Sequence, residues 1–180
     1  TLLRDVFSTL KTDVLSIQRN NRTHRENMRP AVCFDIDDTL LCFPDENDFQ
    51  VVEHKKFSHK IYNFVKRKGF LILIVTARPD NIKNRNWTKC QLKELDYRYK
   101  YLAMLPENKK RTFMAVSNFK FNARLKFQTD FNAQIVLNVG DQWSDLCTYN
   151  KQKFCNLYTN YNKNHYFRFS CIQPNGQLMQ

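Results

Sequence analysis

Apolar side chains recur at Leu3, Val6, Phe7, Leu10, Val14 and Ile17, the three-and-four spacing of a single helical face. Residues 2–17 are therefore predicted to form an amphipathic helix that packs on the domain or on a partner subunit. The polar stretch Gln18 to Arg29 reads as a loop leading into Pro30, and Ala31-Val32-Cys33-Phe34 as a first buried strand. Helical spacing returns at Phe57, Ile61, Phe64 and Val65, with Gly69 as the C-terminal cap. The run Phe70 to Val75 is apolar on both faces, as in a strand covered by helices on both sides. Asp80 is placed to cap a helix over 81–95, Tyr101 to Leu105 forms a third strand, and Ser117 is placed to cap a helix over 118–128. Ile135 to Val139 makes a fourth strand ending at Gly140, and Phe154 to Tyr158 a fifth. Strands and helices alternating at these lengths predict a three-layer α/β/α fold with a mainly parallel sheet.

That architecture gives meaning to the acids. Asp35-Ile36-Asp37-Asp38-Thr39 follows the first strand directly, and Asp141 and Asp145 follow the fourth. Clustered carboxylates resist joint ionisation unless a cation or a proton sits between them, so the pattern asks for a divalent metal or for acid–base work. In open parallel sheets the site lies beyond the carboxyl ends of the strands. Asp35, Thr76 and Asp141 each follow or close an apolar strand, so three strands deliver three polar groups to one crevice.

Composition narrows the setting. A chain of 180 residues with 3 glycines, 5 prolines and no low-complexity run suits one unit, with residues 1–29 as a helix and linker attached to a domain over 30–180. The formal net charge of +12 favours anionic partners: a phosphorylated small molecule, a nucleic acid or a lipid surface. Basic residues gather at Lys66-Arg67-Lys68 and Lys109-Lys110-Arg111. The 6 cysteines lack zinc-knuckle spacing and read as reduced thiols of an intracellular, cytoplasmic compartment, unless a leader has been removed and the protein is secreted. No stretch approaches the roughly 20 apolar residues of a membrane span.

The motifs resemble, in order, those of the haloacid dehalogenase (HAD) superfamily of phosphatases. Asp35-Ile36-Asp37-Asp38-Thr39 is similar to its DxDxT loop, Thr76 followed by Ala77-Arg78-Pro79 to its second motif, Lys120 with Arg124 to its third, and Gly140-Asp141-Gln142-Trp143-Ser144-Asp145 to its GDxxxD loop. The wording of the last loop, with the Lys-x-x-x-Arg helix, is most similar to the acid-phosphatase branch that includes bacterial class B and C enzymes and plant vegetative storage proteins. The resemblance implies a Rossmann-like HAD fold, with a minimal cap because the stretch from Thr39 to Phe70 is short. It also implies a Mg²⁺ ion held by Asp35, Asp37 through its backbone carbonyl, Asp141 and Asp145.

The residue types make chemical sense in those roles. A carboxylate attacks phosphorus competently when a cation offsets the repulsion between anions, so Asp35 is the expected nucleophile, forming an aspartyl-phosphate. Asp37, two residues on, is the expected general acid and then base. By the resemblance, Thr76 and Ala77 bind a phosphoryl oxygen, Lys120 offsets charge near a helix N-terminus, and Arg124 assists phosphate binding. Plainer readings exist: Asp38 and Asp145 as turn residues, Thr76 as a strand end, Lys120 and Arg124 as a solvated helix face, and Arg78 as structural or substrate-adjacent. A calcium loop starting at Asp35 fails because Leu40 stands where that loop needs glycine. Three functions follow: a phosphomonoesterase on small substrates such as nucleotides, a nucleic-acid end phosphatase favoured by the charge, and a non-enzymatic storage or binding protein. A homodimer through the N-terminal helix is a further expectation.

Overall fold

The computed structural model describes residues 2–24, 28–42 and 56–145. In chain order these form α1 (Leu2–His24), β1 (Arg29–Phe34), α2 (Lys56–Arg67), β2 (Leu71–Asp80), α3 (Ile82–Glu94), β3 (Tyr101–Pro106), α4 (Phe113–Asp130) and β4 (Ala133–Val139), followed by a 3₁₀ turn at Trp143–Asp145. The strands make one sheet in the order β3-β2-β1-β4, every neighbouring pair parallel. The predicted α/β/α layering is the observed one. The expected fifth strand at 154–158 lies outside the described residues.

Strand alternation sorts the core into two layers. Val32, Phe34, Ile72, Ile74, Leu102 and Met104 point to the face covered by Leu10 and Ile17 of α1, Ile61, Tyr62 and Val65 of α2, and Leu92 of α3. Ala31, Cys33, Leu71, Leu73, Val75 and Ala103 point to the opposite face, where Phe127 of α4 lies against them. Each large aliphatic or aromatic side chain buried in this way contributes roughly 1.5–3 kcal/mol of hydrophobic stabilisation.

Three boundaries differ from the sequence reading. The helix expected to stop at residue 17 continues through His24; polar residues beyond Ile17 extend it because only one face has to meet the sheet. Asp80 is not a cap: it ends β2, and its carboxylate pairs with Arg85 at 2.6 Å, while Asn81 caps α3 by accepting from Asn84 N at 2.9 Å. Nor does Ser117 cap α4. That helix starts at Phe113 and is capped by Thr112, whose Oγ1 accepts from Ala115 N at 3.2 Å, leaving Ser117 buried inside the helix. Gly69 does terminate α2, at φ +73°, a conformation that glycine adopts without a Cβ clash.

Candidate active site

The polar groups collect at the carboxyl ends of the strands, with Asp35 after β1 and Asp141 after β4. The connection from β1 runs through α2 to β2, whereas β4 lies on the other side of β1. Neighbouring strands that lead away in opposite directions open a crevice between their ends.

Parity explains how β1 supplies Asp35. Ala31, Cys33 and Asp35 alternate with Val32 and Phe34, so Asp35 faces the α4 side, and its backbone N–H still bonds the Val139 carbonyl at 3.0 Å. Ile36 then plugs into the opposite core layer, and its carbonyl accepts from the N–H groups of Thr39, Leu40 and Leu41 at 3.1, 2.9 and 3.0 Å. The tight turn needs Asp38 at φ 56°, a left-handed conformation that Asp tolerates better than most residues. Asp38 is exposed, which suits a turn residue.

From α4, the buried positions Val116, Ser117, Lys120, Arg124 and Phe127 form one helical stripe. Lys120 and Arg124 are therefore not a solvated face. Lys120 Nζ donates to Asp35 Oδ1 at 2.8 Å and makes a very short contact to Asp145 Oδ1, all three groups being buried. Burial opposes the charge on Lys120, but Asp35 and Asp145 outweigh it and hold the ammonium well above its ordinary value. Lys120 sits two turns into α4, so the expected helix-terminus field does not act there; two carboxylates stabilise its charge instead. Arg124 lies behind the crevice, donating NH1 to the Asp145 carbonyl at 2.8 Å.

The loop after β4 folds back on itself. Gln142 N donates to Asp145 Oδ2 at 3.0 Å, and a Cβ placed on Gly140 would lie 2.2 Å from that of Asp145, so only glycine admits the close approach. Thr39 Oγ1 donates to Asp141 Oδ1 at 3.3 Å, tying the two acidic loops together. One carboxylate oxygen from each of Asp35, Asp141 and Asp145 lies within 4.8 Å of the others. Burial, then the nearby Asp145, push Asp35 well above the usual carboxylate range despite the pull of Lys120; burial also raises Asp141.

Asp37 stands apart from that cluster. Its carboxylate accepts from Arg78 Nε at 2.9 and 3.0 Å and from Arg78 NH2 at 2.5 Å. Arg78 is itself fixed by donating NH1 to Gln91 Oε1 at 2.7 Å and Thr88 Oγ1 at 3.1 Å, and it lies over the Trp87 ring at 4.7 Å. Sequence reasoning left Arg78 without a specific partner; the signal was its place two residues beyond Thr76, at the same strand end. Thr76 is fully buried, and its Oγ1 accepts from Arg78 N at 3.2 Å. The Ala77 carbonyl accepts from Arg111 NH2 at 3.1 Å, and Ala77 lines the same crevice as Asp35, Asp37, Lys120 and Asp141.

An α/β sheet that gathers three aspartates and a buried lysine at the switch point between two strands defines the class. The chain belongs to the HAD superfamily, subfamily IIIB (acid phosphatase), whose family model matches residues 50–169. The acidic loop at Asp35 precedes the matched stretch. No curated protein matches the chain. Similar solved structures include a Pnkp1/Rnl/Hen1 complex and a Pnkp1/Rnl/Hen1 RNA repair complex. One is 19% identical, covering 48% of this chain and 31% of that chain with a TM-score of 0.41. The other is 17% identical, covering 57% and 32% with a TM-score of 0.44. A third is the cobalt-bound deoxy-D-mannose-octulosonate 8-phosphate phosphatase of Haemophilus influenzae, 16% identical, covering 67% and 63% with a TM-score of 0.36. The chain thus spans about a third of the first two proteins. No helix among the described residues is long and apolar enough to cross a membrane.

Proposed function

We propose that the protein is a magnesium-dependent phosphomonoester hydrolase acting on small phosphorylated substrates through an aspartyl-phosphate at Asp35. The observation that carries this reading is the convergence of carboxylate oxygens from Asp35, Asp141 and Asp145 within 4.8 Å, with Lys120 bonded to two of the three. A set of hard oxygen donors fits Mg²⁺, which keeps several waters and needs few protein ligands. Asp35, the Asp37 carbonyl and Asp141 would hold it, with Asp145 orienting the set; when bound, the ion supplies charge neutralisation for the phosphoryl oxygens.

Asp35 attacks phosphorus, the bond to the leaving oxygen breaks, and Asp37 gives that oxygen its proton. A water then attacks the aspartyl-phosphate, Asp37 takes its proton back, and phosphate leaves with Asp35 restored. Arg78 fixes the position from which Asp37 acts. Thr76 and Ala77 bind a phosphoryl oxygen, Lys120 keeps the Asp35 side of the crevice charge-balanced, and Arg124 holds the Asp145 loop from behind. A reducing intracellular setting belongs to the same reading, supported by Cys33, Cys42 and Cys90 standing as free thiols among the described residues.

The test is hydrolysis of an aryl phosphate by wild type and Asp35→Asn, with Mg²⁺ and with a chelator. Turnover is expected only for wild type with metal. Turnover that survives either change would remove the mechanism. A nucleic-acid end phosphatase is a second reading, supported by the formal charge of +12.

A further inference from the structure

A series of hydrogen bonds reaches the acidic loop from the side of the sheet opposite the crevice. Tyr97, buried just after α3, belongs to the core layer covered by α1 and α2, whereas Asp35 faces α4. The Tyr97 hydroxyl donates to the Leu40 carbonyl at 3.1 Å. With its one proton used there, that oxygen offers only lone pairs to His59 Nδ1, 3.3 Å away. His59 Nδ1 therefore carries the ring proton and Nε2 is bare, which suits Asn63 Nδ2, donating to it at 2.9 Å. Every donor in the series points the same way, from Asn63 through His59 and Tyr97 to Leu40. Burial pushes the Tyr97 phenol above its ordinary value, so it keeps the proton it gives.

The bond ends where it can act on the site. Leu40 and Leu41 hang with Thr39 from the Ile36 carbonyl, and Leu41 pairs with Asp37 as an isolated bridge. Holding the Leu40 carbonyl fixes the returning limb of that turn, and with it the backbone of Asp37, whose carbonyl is a metal ligand in the proposed mechanism. Tyr62 supplies the contrast. Its ring stands edge-on to Tyr97 at 4.7 Å in the same buried cluster, but its hydroxyl donates to the Arg98 carbonyl at 3.0 Å and accepts from Arg98 N, away from the acidic loop.

We propose that Tyr97, oriented by His59, is a positioning residue that holds the loop over residues 35–41 from behind and sets the Asp37 carbonyl for the metal. It touches no substrate. The proposal rests on the phosphatase reading for the metal but not for the hold on the loop. The experiment compares wild type, Tyr97→Phe and Tyr62→Phe by calorimetry of Mg²⁺ binding, by amide exchange over residues 36–41 in metal-free protein, and by aryl phosphate hydrolysis. Each variant keeps its ring and leaves buried backbone groups without a partner, so both should lose stability. Only Tyr97→Phe is expected to weaken Mg²⁺ binding, by about tenfold, and to lower kcat by a similar factor with KM nearly unchanged, as for other groups that stand behind a metal ligand. Exchange over 36–41 should quicken by about tenfold in that variant alone. Equal changes in the two variants, or none in Tyr97→Phe while wild-type turnover requires Asp35, would overturn the positioning role and leave the phosphatase standing. If wild type neither binds Mg²⁺ nor turns over, the phosphatase reading falls and exchange alone decides: acceleration confined to Tyr97→Phe upholds the hold on the loop, and equal rates overturn it. Should Tyr97→Phe not fold, His59→Ala, which keeps the hydroxyl but removes the ring that orients it, must move the same measurements in the same direction; unchanged values overturn the proposal.

Discussion

The group expected to react is also one that the fold holds at a cost. Asp35 is buried beside Asp145, and both effects favour its protonated form over the anion needed for attack. A carboxyl whose pKa is higher in the folded than in the unfolded state lowers stability as pH rises above its ordinary value of 3.8, and costs nothing below it. Asp35→Asn should therefore raise the thermal midpoint of metal-free protein at neutral pH by a few degrees, at about 2–4 °C per kcal/mol for a chain of this size. The gain should vanish below pH 3.8 and shrink when Mg²⁺ is added to both proteins. A midpoint that falls at neutral pH would mean that the Lys120 bond outweighs burial. At this scale the sequence was most legible where the chemistry is contiguous. Asp35, Asp37, Asp141 and Asp145 were visible because each lies in a short loop behind an apolar run. The pairing of Asp37 with Arg78 was not, because it joins two strands and depends on Thr88 and Gln91 of a third element to aim the guanidinium.

Elements were legible by type and less so by boundary. The apolar spacing that placed α2 and the continuous runs that placed β1, β2 and β4 arise from burial, which the whole structure enforces. A cap is a local device that can occur twice within one stretch. Ser117 was the nearer capping residue to the periodic run, but Thr112 wins because the first turn of α4 carries Phe113 and Met114, each about half exposed, which interrupt the apolar periodicity without breaking the helix. The two hydroxyls should therefore respond differently. Thr112→Ala removes a bond to Ala115 N and should cost about 1 kcal/mol in denaturant unfolding. Ser117→Ala removes a buried Oγ that has no hydrogen-bond partner among the described residues, so it should be neutral or stabilising. The reverse order would restore Ser117 as the cap. The shift has a consequence for the site: starting the helix earlier moves Lys120 from its first turn to two turns in, away from the helix terminus, so that its charge is met by the Asp35 and Asp145 carboxylates instead.

Across the whole molecule the excess of positive charge is not evenly useful. Lys66, Arg67 and Lys68 end α2 just before β2 begins, at the amino edge of the sheet, where they complement the negative end of a helix and lie far from the crevice. Lys109, Lys110 and Arg111 precede α4 at the carboxyl edge, and Arg111 lines the crevice. Of these two clusters the second is placed to draw a phosphate ester inward, and how strongly it does so depends on how many phosphates the substrate carries. Screening contracts from about 30 Å at 0.01 M salt to about 3 Å at 1 M, so kcat/KM for any anionic substrate should fall over that range. For a substrate that makes several backbone contacts, the slope on a logarithmic salt axis steepens by nearly one for each phosphate neutralised on a duplex, and by somewhat less on a single strand. A 5′-phosphorylated oligonucleotide with a slope clearly steeper than that of adenosine 5′-phosphate would place the polymer along Lys109 and Lys110. Replacing both with glutamine should then flatten its slope, while Lys68→Gln, at the opposite edge, leaves it unchanged. Equal slopes for the two substrates would remove the nucleic-acid end reading and leave a small-molecule phosphatase whose charge serves the approach of one phosphate.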